Sequence, residues 1–328
     1  MRLPDIRPGM TVLTLRFVIA CLSGLLLAAP ALAEKETCAV SLMVLGAGQD
    51  GGKPQIANPD DPAWTNPDLR RLATSLALVD TRGGGAAARW LFEATPDIKA
   101  QLQRLDERHP VAAAPGVDGI FLTHAHIGHY TGLALLGHES AGAEGVPVHA
   151  LPRMAGFLRE NGPWGQLVRY ENIALNVMTA GEAVELAADL TVTPFLVPHR
   201  QEYSEVAGYS IAGPDRSVLF IPDIDSWADW DAKEIRIEDQ IAAHDVALLD
   251  GTFFARGEIP GRDMSGFPHP FITVSVERFS PLPEEERQKV RFIHLNHTNP
   301  ALDPDSPERA FIRAAGMDVA DEGGEICL

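Results

Sequence analysis

Three histidines lie close together in residues 122–130, which read Leu-Thr-His-Ala-His-Ile-Gly-His-Tyr. His124 and His126 are two residues apart, so in an extended chain their side chains project to the same side. A turn at Gly128 would bring His129 round to the same point. Three imidazoles that converge in this way suit a borderline metal ion such as zinc. The segment therefore predicts a metal site.

Further metal donors follow apolar segments that are typical of strands. His199 comes after the predicted strand 191–197, Asp223 follows the predicted strand 217–221, and His294 lies in residues 292–297, Phe-Ile-His-Leu-Asn-His. Taken singly, His199 could also be a surface residue and Asp223 a turn former. Their shared position at strand ends favours one site assembled from several loops.

The order H-x-H-x-x-H, then a histidine, an aspartate after a strand and a late histidine resembles the metallo-β-lactamase fold superfamily. Within it the chain is most similar to the branch of coenzyme PQQ synthesis protein B. The resemblance is carried by residues 44–55, 71–78, 92–98, 249–254 and 293–300. It implies an α/β fold, a four-layer αββα sandwich, with a hydrolytic centre of one or two metal ions.

The resemblance also implies how the donors divide between two ions. The first ion would be held by His124, His126 and His199, and the second by His129, His294 and a bridging Asp223. The usual superfamily motif is H-x-H-x-D-H, and Gly128 stands at its aspartate position, which puts occupancy of the second position in question. The PQQ protein keeps the Asp-His end of this motif and lacks its leading histidines, so this chain has the more hydrolase-like set.

Several residues are candidates for roles around the ions. A bound metal would lower the pKa of water from about 15.7 toward about 7, and Asp223 would orient the hydroxide. Asp50, in a glycine-rich loop, is a candidate proton acceptor or an ordinary turn residue. His269 matches a histidine of the PQQ protein branch and would contact substrate or close over the metal; an exposed loop histidine is the alternative. Glu93 is expected to orient the histidine loop. Asp250 is expected either to hydrogen-bond to a metal ligand or to have a structural role.

The function predicted from these residues is an exported metal-dependent hydrolase of a small-molecule ester, phosphodiester or lactam-like bond, with one or two zinc ions. Iron or manganese is the alternative metal. An iron-dependent oxidative enzyme, or an accessory factor of pyrroloquinoline quinone biosynthesis or quinoprotein function, is the alternative role. The 27 Lys and Arg against 45 Asp and Glu, a net charge of −18, argue against a nucleic-acid binder.

Many short strands and few helices are predicted to position these residues. The apolar, β-prone segments are residues 40–45, 75–79, 90–92, 120–122, 184–186, 191–197, 208–211, 217–221, 246–249 and 291–295. Helices are predicted from Thr95 as N-cap to about residue 105, from Ser306 as N-cap to Gly316, and after Thr131. Two irregular stretches, residues 46–67 and 251–270, are rich in Gly, Pro and Asp.

The first 33 of the 328 residues are typical of a cleaved export signal. Arginines at positions 2, 7 and 16 precede an apolar run, and Ala31-Leu32-Ala33 is a small-x-small cleavage site. An N-terminal anchor or lipidation at Cys21 are the alternatives. We therefore expect residues 34–328 to form a single catalytic domain in the periplasm or outside the cell, without stable membrane insertion. Cys38 and Cys327 remain after cleavage, and an oxidising compartment favours a disulfide between them.

Overall fold

Two mixed β-sheets of seven strands each form the centre of the computed structural model, which describes residues 38–113 and 115–328. The predicted export signal lies outside the described residues. The strands are β1 (Val40–Gly46), β2 (Ser75–Asp80), β3 (Ala88–Phe92), β4 (Gly119–Phe121), β5 (Val146–Ala150), β6 (Ile173–Val177), β7 (Val184–Ala187), β8 (Leu190–Leu196), β9 (Ala207–Ala212), β10 (Ser217–Ile221), β11 (Val246–Asp250), β12 (Val290–Ile293), β13 (Asp318–Val319) and β14 (Glu325–Cys327).

Each sheet is part antiparallel and part parallel. The first has the order β14-β1-β2-β3-β4-β5-β6 and the second β13-β12-β11-β10-β9-β8-β7. Strands β3 to β6 are parallel in the first sheet, and β10 to β13 are parallel in the second. The carboxyl ends of parallel strands meet at one edge of a sheet, which is where loop residues can converge.

Helices cover the outer face of each sheet. In the described residues the α-helices are α1 (Ile98–Arg108), α2 (Ile127–Tyr130), α3 (Pro152–Glu160), α4 (Trp164–Arg169), α5 (Trp227–Asp231), α6 (Ile237–Ala243), α7 (Ile272–Phe279), α8 (Glu284–Arg287) and α9 (Pro307–Ala314). Helices α1, α3 and α4 pack on the first sheet, and α5, α6, α7 and α9 on the second.

Besides the apolar contacts between the helices and each sheet, an apolar core lies between the two sheets. Phe92 and Phe121 of the first sheet meet Tyr209 and Phe220 of the second, and the Phe92 and Phe220 ring centroids are 6.1 Å apart. Edge-to-face contacts of this kind add about 0.5–1.5 kcal/mol each beyond the area that they bury. The layers therefore run helix, sheet, sheet, helix, and the predicted αββα sandwich is confirmed.

The ten predicted strands are present with ends shifted by at most two residues, whereas β5, β6, β13 and β14 were not predicted. The expectation of few helices is wrong. Helix α7 shows why, because its β-branched residues resemble a strand. Its buried positions, Ile272, Ser275, Val276 and Phe279, nevertheless follow the i, i+3, i+4, i+7 spacing of a helix.

Two of the predicted helix starts need correction. Helix α1 begins at Ile98 with Asp97 at its N-cap position, although the Thr95 hydroxyl accepts from the Asp97 amide as an N-cap side chain would. The helix expected after Thr131 is a short 3-10 helix, Thr131–Leu136. Ser306 caps α9 as predicted, by accepting from the Arg309 amide at 3.0 Å.

A disulfide joins the two ends of the described chain. Cys38 and Cys327 are bridged, with Cα atoms 5.3 Å apart, which confirms the expected pair. Strand β14 pairs antiparallel with β1, with Ser41 opposite Cys327. The bridge therefore fastens an edge strand of the first sheet. Within residues 38–113 and 115–328, no helix has the length and apolar character needed to cross a membrane.

Candidate metal centre

Four donors gather at the first position that the sequence predicts for a metal ion. The Nδ1 atom of His126 lies 2.8 Å from Nε2 of His124 and 3.3 Å from Nε2 of His199. The two carboxylate oxygens of Asp223 lie 3.5 Å from Nε2 of His124 and 3.4 Å from Nε2 of His199. Ligands about 2.0–2.1 Å from a tetrahedral zinc ion are about 3.3 Å from one another. The spacing of these atoms is close to that value.

A second group faces the other side of Asp223. Its donors are His129, His294 and Asp50. The Asp50 Oδ1 atom lies 3.5 Å from Nε2 of His129 and 3.9 Å from Nε2 of His294. Asp223 Oδ2 lies 3.2 Å from the first of these nitrogens and 3.6 Å from the second. Asp223 thus stands between both groups, as a bridging ligand must.

The inner atoms of the second group have no hydrogen-bond partner. The Nε2 atoms of His129 and His294 and the Oδ1 atom of Asp50 are buried and unpaired. The Oδ1 atom of Asp223 is also unpaired, but it faces His199 and His269. A buried polar atom without a partner costs about 1–3 kcal/mol, and the three atoms of the second group face one another. Imidazole nitrogens and carboxylate oxygens at these distances fit a divalent metal of the zinc type.

The outer nitrogen of each imidazole faces a second polar group. Such partners fix the ring tautomer and orientation and raise the basicity of the ligating nitrogen. They are Thr123 for His124 at 2.8 Å, Glu202 for His126 at 3.0 Å, Glu93 for His129 at 3.2 Å, Asp225 for His199 at 2.9 Å, and Thr252 for His294 at 3.0 Å.

The sequence singled out Glu93 in this role and passed over Thr123, Glu202, Asp225 and Thr252. The first three of these lie within three residues of a predicted ligand, and that proximity was the available signal. Thr252 is separated from His294 in sequence and meets it only because β11 and β12 are parallel neighbours. No local pattern marks such a pair.

His269 is buried rather than exposed, which excludes the exposed-loop alternative. Its Nδ1 atom lies 2.9 Å from Asp250 and 3.3 Å from Oδ1 of Asp223. Asp250 is fully buried and also accepts hydrogen bonds from the amides of Ile224 and Thr252. Asp250 therefore ties the loop that carries Asp223 to the loop after β11, and His269 packs against both carboxylates.

The imidazoles keep the two central carboxylates ionised. Burial alone would raise the pKa of Asp223, but His294 and His199 hold it well below its usual value. Burial acts in the same direction on the pKa of Asp50, and His129 and His294 again outweigh it and lower the pKa. Both groups are thus in the charged form in which a carboxylate binds a metal ion.

The histidines differ in pKa because their carboxylate neighbours differ. Burial lowers the pKa of His124 well below its usual value and also lowers that of His199, so both are neutral and ready to act as ligands. Burial would lower the pKa of His129 too, but the charge of Glu93, together with Asp223 and Asp50, raises it well above normal. In the absence of metal, His129 therefore carries a proton that neutralises part of the negative charge.

The structure brings together the six residues predicted as metal ligands and the two further residues predicted to be catalytic. The six ligand candidates are His124, His126, His129, His199, Asp223 and His294. Asp50 lies in the second group, and His269 contacts Asp223. Each ligand follows a strand or begins a helix that a strand leads into. The site lies where the carboxyl ends of β4, β8, β10 and β12 meet across the two sheets.

Comparison with known proteins gives the family and the fold. Residues 88–298 match the β-lactamase superfamily domain. Coenzyme PQQ synthesis protein B of Xanthomonas euvesicatoria pv. vesicatoria (strain 85-10) is 27% identical over 318 residues, covering 88% of this chain and 99% of that protein.

Two solved structures share the architecture. Zn²⁺-bound PqqB from Methylobacterium extorquens has a TM-score of 0.71 at 22% identity, covering 88% of this chain and 100% of that one. A diphosphatase from the PhnP family has a TM-score of 0.60 at 22% identity, covering 88% of this chain and 98% of that one. At this identity the likeness shows the fold.

Proposed function

The chain belongs to the β-lactamase superfamily, and from that membership we propose that it is a metal-dependent hydrolase of a small-molecule substrate. The observation that carries the proposal is the convergence of donor atoms on both sides of Asp223, with buried and unpaired atoms in the second group. A fold with no use for a metal would not keep such atoms apart from any hydrogen-bond partner. The bonds that suit this chemistry are esters, phosphodiesters and lactam-like amides.

The chain's own residues hold and orient what the reaction needs. A divalent ion bound there supplies two effects, a lowered pKa of bound water and polarisation of the substrate oxygen. Asp223 lies between the two donor groups and is the residue that orients the attacking water. Asp250 and His269 help to hold Asp223 in place. The Nδ1 atom of His269 lies 2.9 Å from Asp250 and 3.3 Å from Asp223.

Zinc is the metal that we propose. The donor set consists of imidazole and carboxylate groups, both of which are common ligands of zinc. A zinc-bound protein, PqqB, has the same fold. One or two ions per chain are expected, since the first group has four donors and the second shares Asp223.

The second candidate function is an iron-dependent step in pyrroloquinoline quinone metabolism. It is favoured by the similarity to coenzyme PQQ synthesis protein B, which extends over 88% of this chain. A site of histidines and carboxylates with open positions also suits non-haem iron. The metal present in the purified protein separates the two candidates, because redox-inactive zinc favours hydrolysis and redox-active iron favours oxidation.

Elemental analysis beside a panel of chromogenic substrates tests the proposal. We expect between one and two zinc ions per chain in the wild type and loss of metal in His124→Ala/His126→Ala. Hydrolysis of a phosphodiester, an ester or a lactam should disappear on chelation and return with zinc. His138→Ala, which removes an exposed histidine, is the matched control. Unchanged metal content in the double variant would refute the assignment of the site.

We further propose that the protein is exported and acts in the periplasm or outside the cell. The amino-terminal sequence and the Cys38–Cys327 disulfide support this, because disulfides persist in oxidising compartments. Cell fractionation of the full chain with a carboxyl-terminal tag tests it. Recovery of uncleaved protein in the cytoplasm, with both thiols free, would contradict it.

A further inference from the structure

The glycine at position 128 has no backbone reason to be a glycine. It lies inside the short helix α2, and its backbone is not in the left-handed region that favours glycine. A glycine inside a helix is disfavoured relative to alanine. Its missing side chain must therefore serve a neighbour.

That neighbour is Asp50. A β-carbon built on Gly128 would lie 2.5 Å from the Asp50 Cα and 2.8 Å from its Cγ, and closer still to its Oδ1. Atoms of separate residues do not approach so closely, so any side chain at position 128 would displace Asp50. The space next to His129 that a residue-128 side chain would fill is occupied by the Asp50 carboxylate.

The position of Asp50 is well fixed. The residue has a φ of +37°, a left-handed conformation that aspartate tolerates better than most residues. The turn around it closes by a hydrogen bond from the Gly52 amide to the Gln49 carbonyl, and the Gln49 amide donates to Leu295, the residue after His294. The turn thus holds Asp50 beside His294, and its Oδ1 atom is buried without a hydrogen-bond partner.

We infer that Asp50 is a ligand of the second metal ion through Oδ1, and that Gly128 exists to admit it. The inference rests on the proposed metal-dependent function. The superfamily motif has an aspartate where this chain has Gly128, and here a carboxylate enters the same space from the loop after β1. The second group then has three donors of its own, Asp50, His129 and His294, with Asp223 shared between the two groups.

Position 128 does not accept a side chain while residue 50 keeps its place. Asp50→Asn keeps the size of the side chain and removes the anionic ligand. Gly128→Asp brings a second side chain into the occupied space. Shortening residue 50 would not relieve that clash, because the Asp50 Cα itself lies 2.5 Å from the β-carbon position of residue 128.

The experiment measures zinc per chain by elemental analysis after gel filtration, zinc affinity by competition with a chromophoric chelator, and the thermal midpoint of the metal-free protein. We expect two ions in the wild type and one in Asp50→Asn. Loss of a residue that only orients a ligand typically lowers metal affinity by about 10–100-fold. Loss of a ligand itself should lower the affinity for the second ion by more than this. Asp60→Asn, an exposed carboxylate of the same loop, is the matched control and should bind both ions.

Gly128→Asp alone should lose the second ion and lower the thermal midpoint of the metal-free protein. Wild-type affinity for both ions in Asp50→Asn, a wild type that binds only one ion, or a Gly128→Asp variant that keeps both the second ion and the wild-type thermal midpoint would each overturn the inference. In those cases the first ion is still bound and the proposed function stands, whereas a wild type that binds no metal refutes the proposed function itself.

Discussion

Two carboxylates face the outer nitrogens of metal-site histidines. We expect the more buried one to contribute more to metal affinity. Glu93 is fully buried and lies 3.2 Å from Nδ1 of His129. Asp225 lies 2.9 Å from Nδ1 of His199, but its side chain is 31% exposed. The distances are similar, so the difference comes from solvent screening. Water and salt screen a partly exposed charge more than a fully buried one, so Asp225 should act on its histidine more weakly than Glu93 does.

The expected magnitudes follow from that contrast. Loss of a partner of this kind costs about 10–100-fold in metal affinity, or about 1.4–2.7 kcal/mol. We expect Glu93→Gln to fall in the upper half of that range and to weaken the ion held by His129. Asp225→Asn should weaken the ion held by His199 by less than about tenfold, because water already screens that carboxylate.

A competition titration with a chromophoric chelator resolves the two zinc affinities in each variant. Circular dichroism of the metal-free proteins shows whether Glu93→Gln still folds, since the glutamate also accepts a hydrogen bond from the Thr123 amide. Equal losses in the two variants, or a larger loss in Asp225→Asn, would refute the argument from burial. Wild-type affinity in a folded Glu93→Gln would show that Glu93 does not act on the metal.

Two further predictions concern stability. Replacing Cys38 and Cys327 by serine should lower the free energy of unfolding in urea by about 2–5 kcal/mol, because the bridge spans 289 residues of sequence; a change below about 1 kcal/mol would contradict this. The pKa of His149 is about 4 because burial disfavours its charged form, so as the pH falls from about 6.5 to about 4 the unfolded chain binds a proton that the folded chain does not. His149 should therefore contribute a loss of about 2 kcal/mol between about pH 7.5 and pH 5. In the metal-free protein, His149→Phe, which replaces the ring stacked on Phe121, should lose about 2 kcal/mol less than the wild type over the same range; an equal loss in both would contradict this.

The strands and the histidines were predictable because both have local signals. Each of the ten predicted strands is a short apolar run ended by polar or turn-forming residues, and His124, His199 and His294 follow such runs. The helices were harder to predict. Helix α7 contains Ile, Thr and Val in its first half, and its helical character appears only in the spacing of the residues that pack on the second sheet. Tertiary packing thus overrides local preference there.

The residues that hydrogen-bond to the histidines also differ in whether a local sequence signal marks them. Asp225 lies two residues from Asp223 and Thr123 precedes His124, so a search around each predicted ligand would have found them. Thr252 reaches His294 only through the parallel pairing of β11 and β12. Register between neighbouring strands is set by packing of the whole sheet, and a single sequence does not contain it.

Asp50 and Gly128 show a further limit of reading a motif by position. Considered along the chain, Gly128 marks the loss of a metal-binding carboxylate, and Asp50 is an acidic residue in a turn. In three dimensions the two positions compete for one space beside His129. A donor set is defined by which atoms reach the metal, and a carboxylate can reach the same place from the loop after β1 or from α2. For a chain whose motif departs from its superfamily at a ligand position, the residue that fills the vacated space is therefore as informative as the residue that is missing.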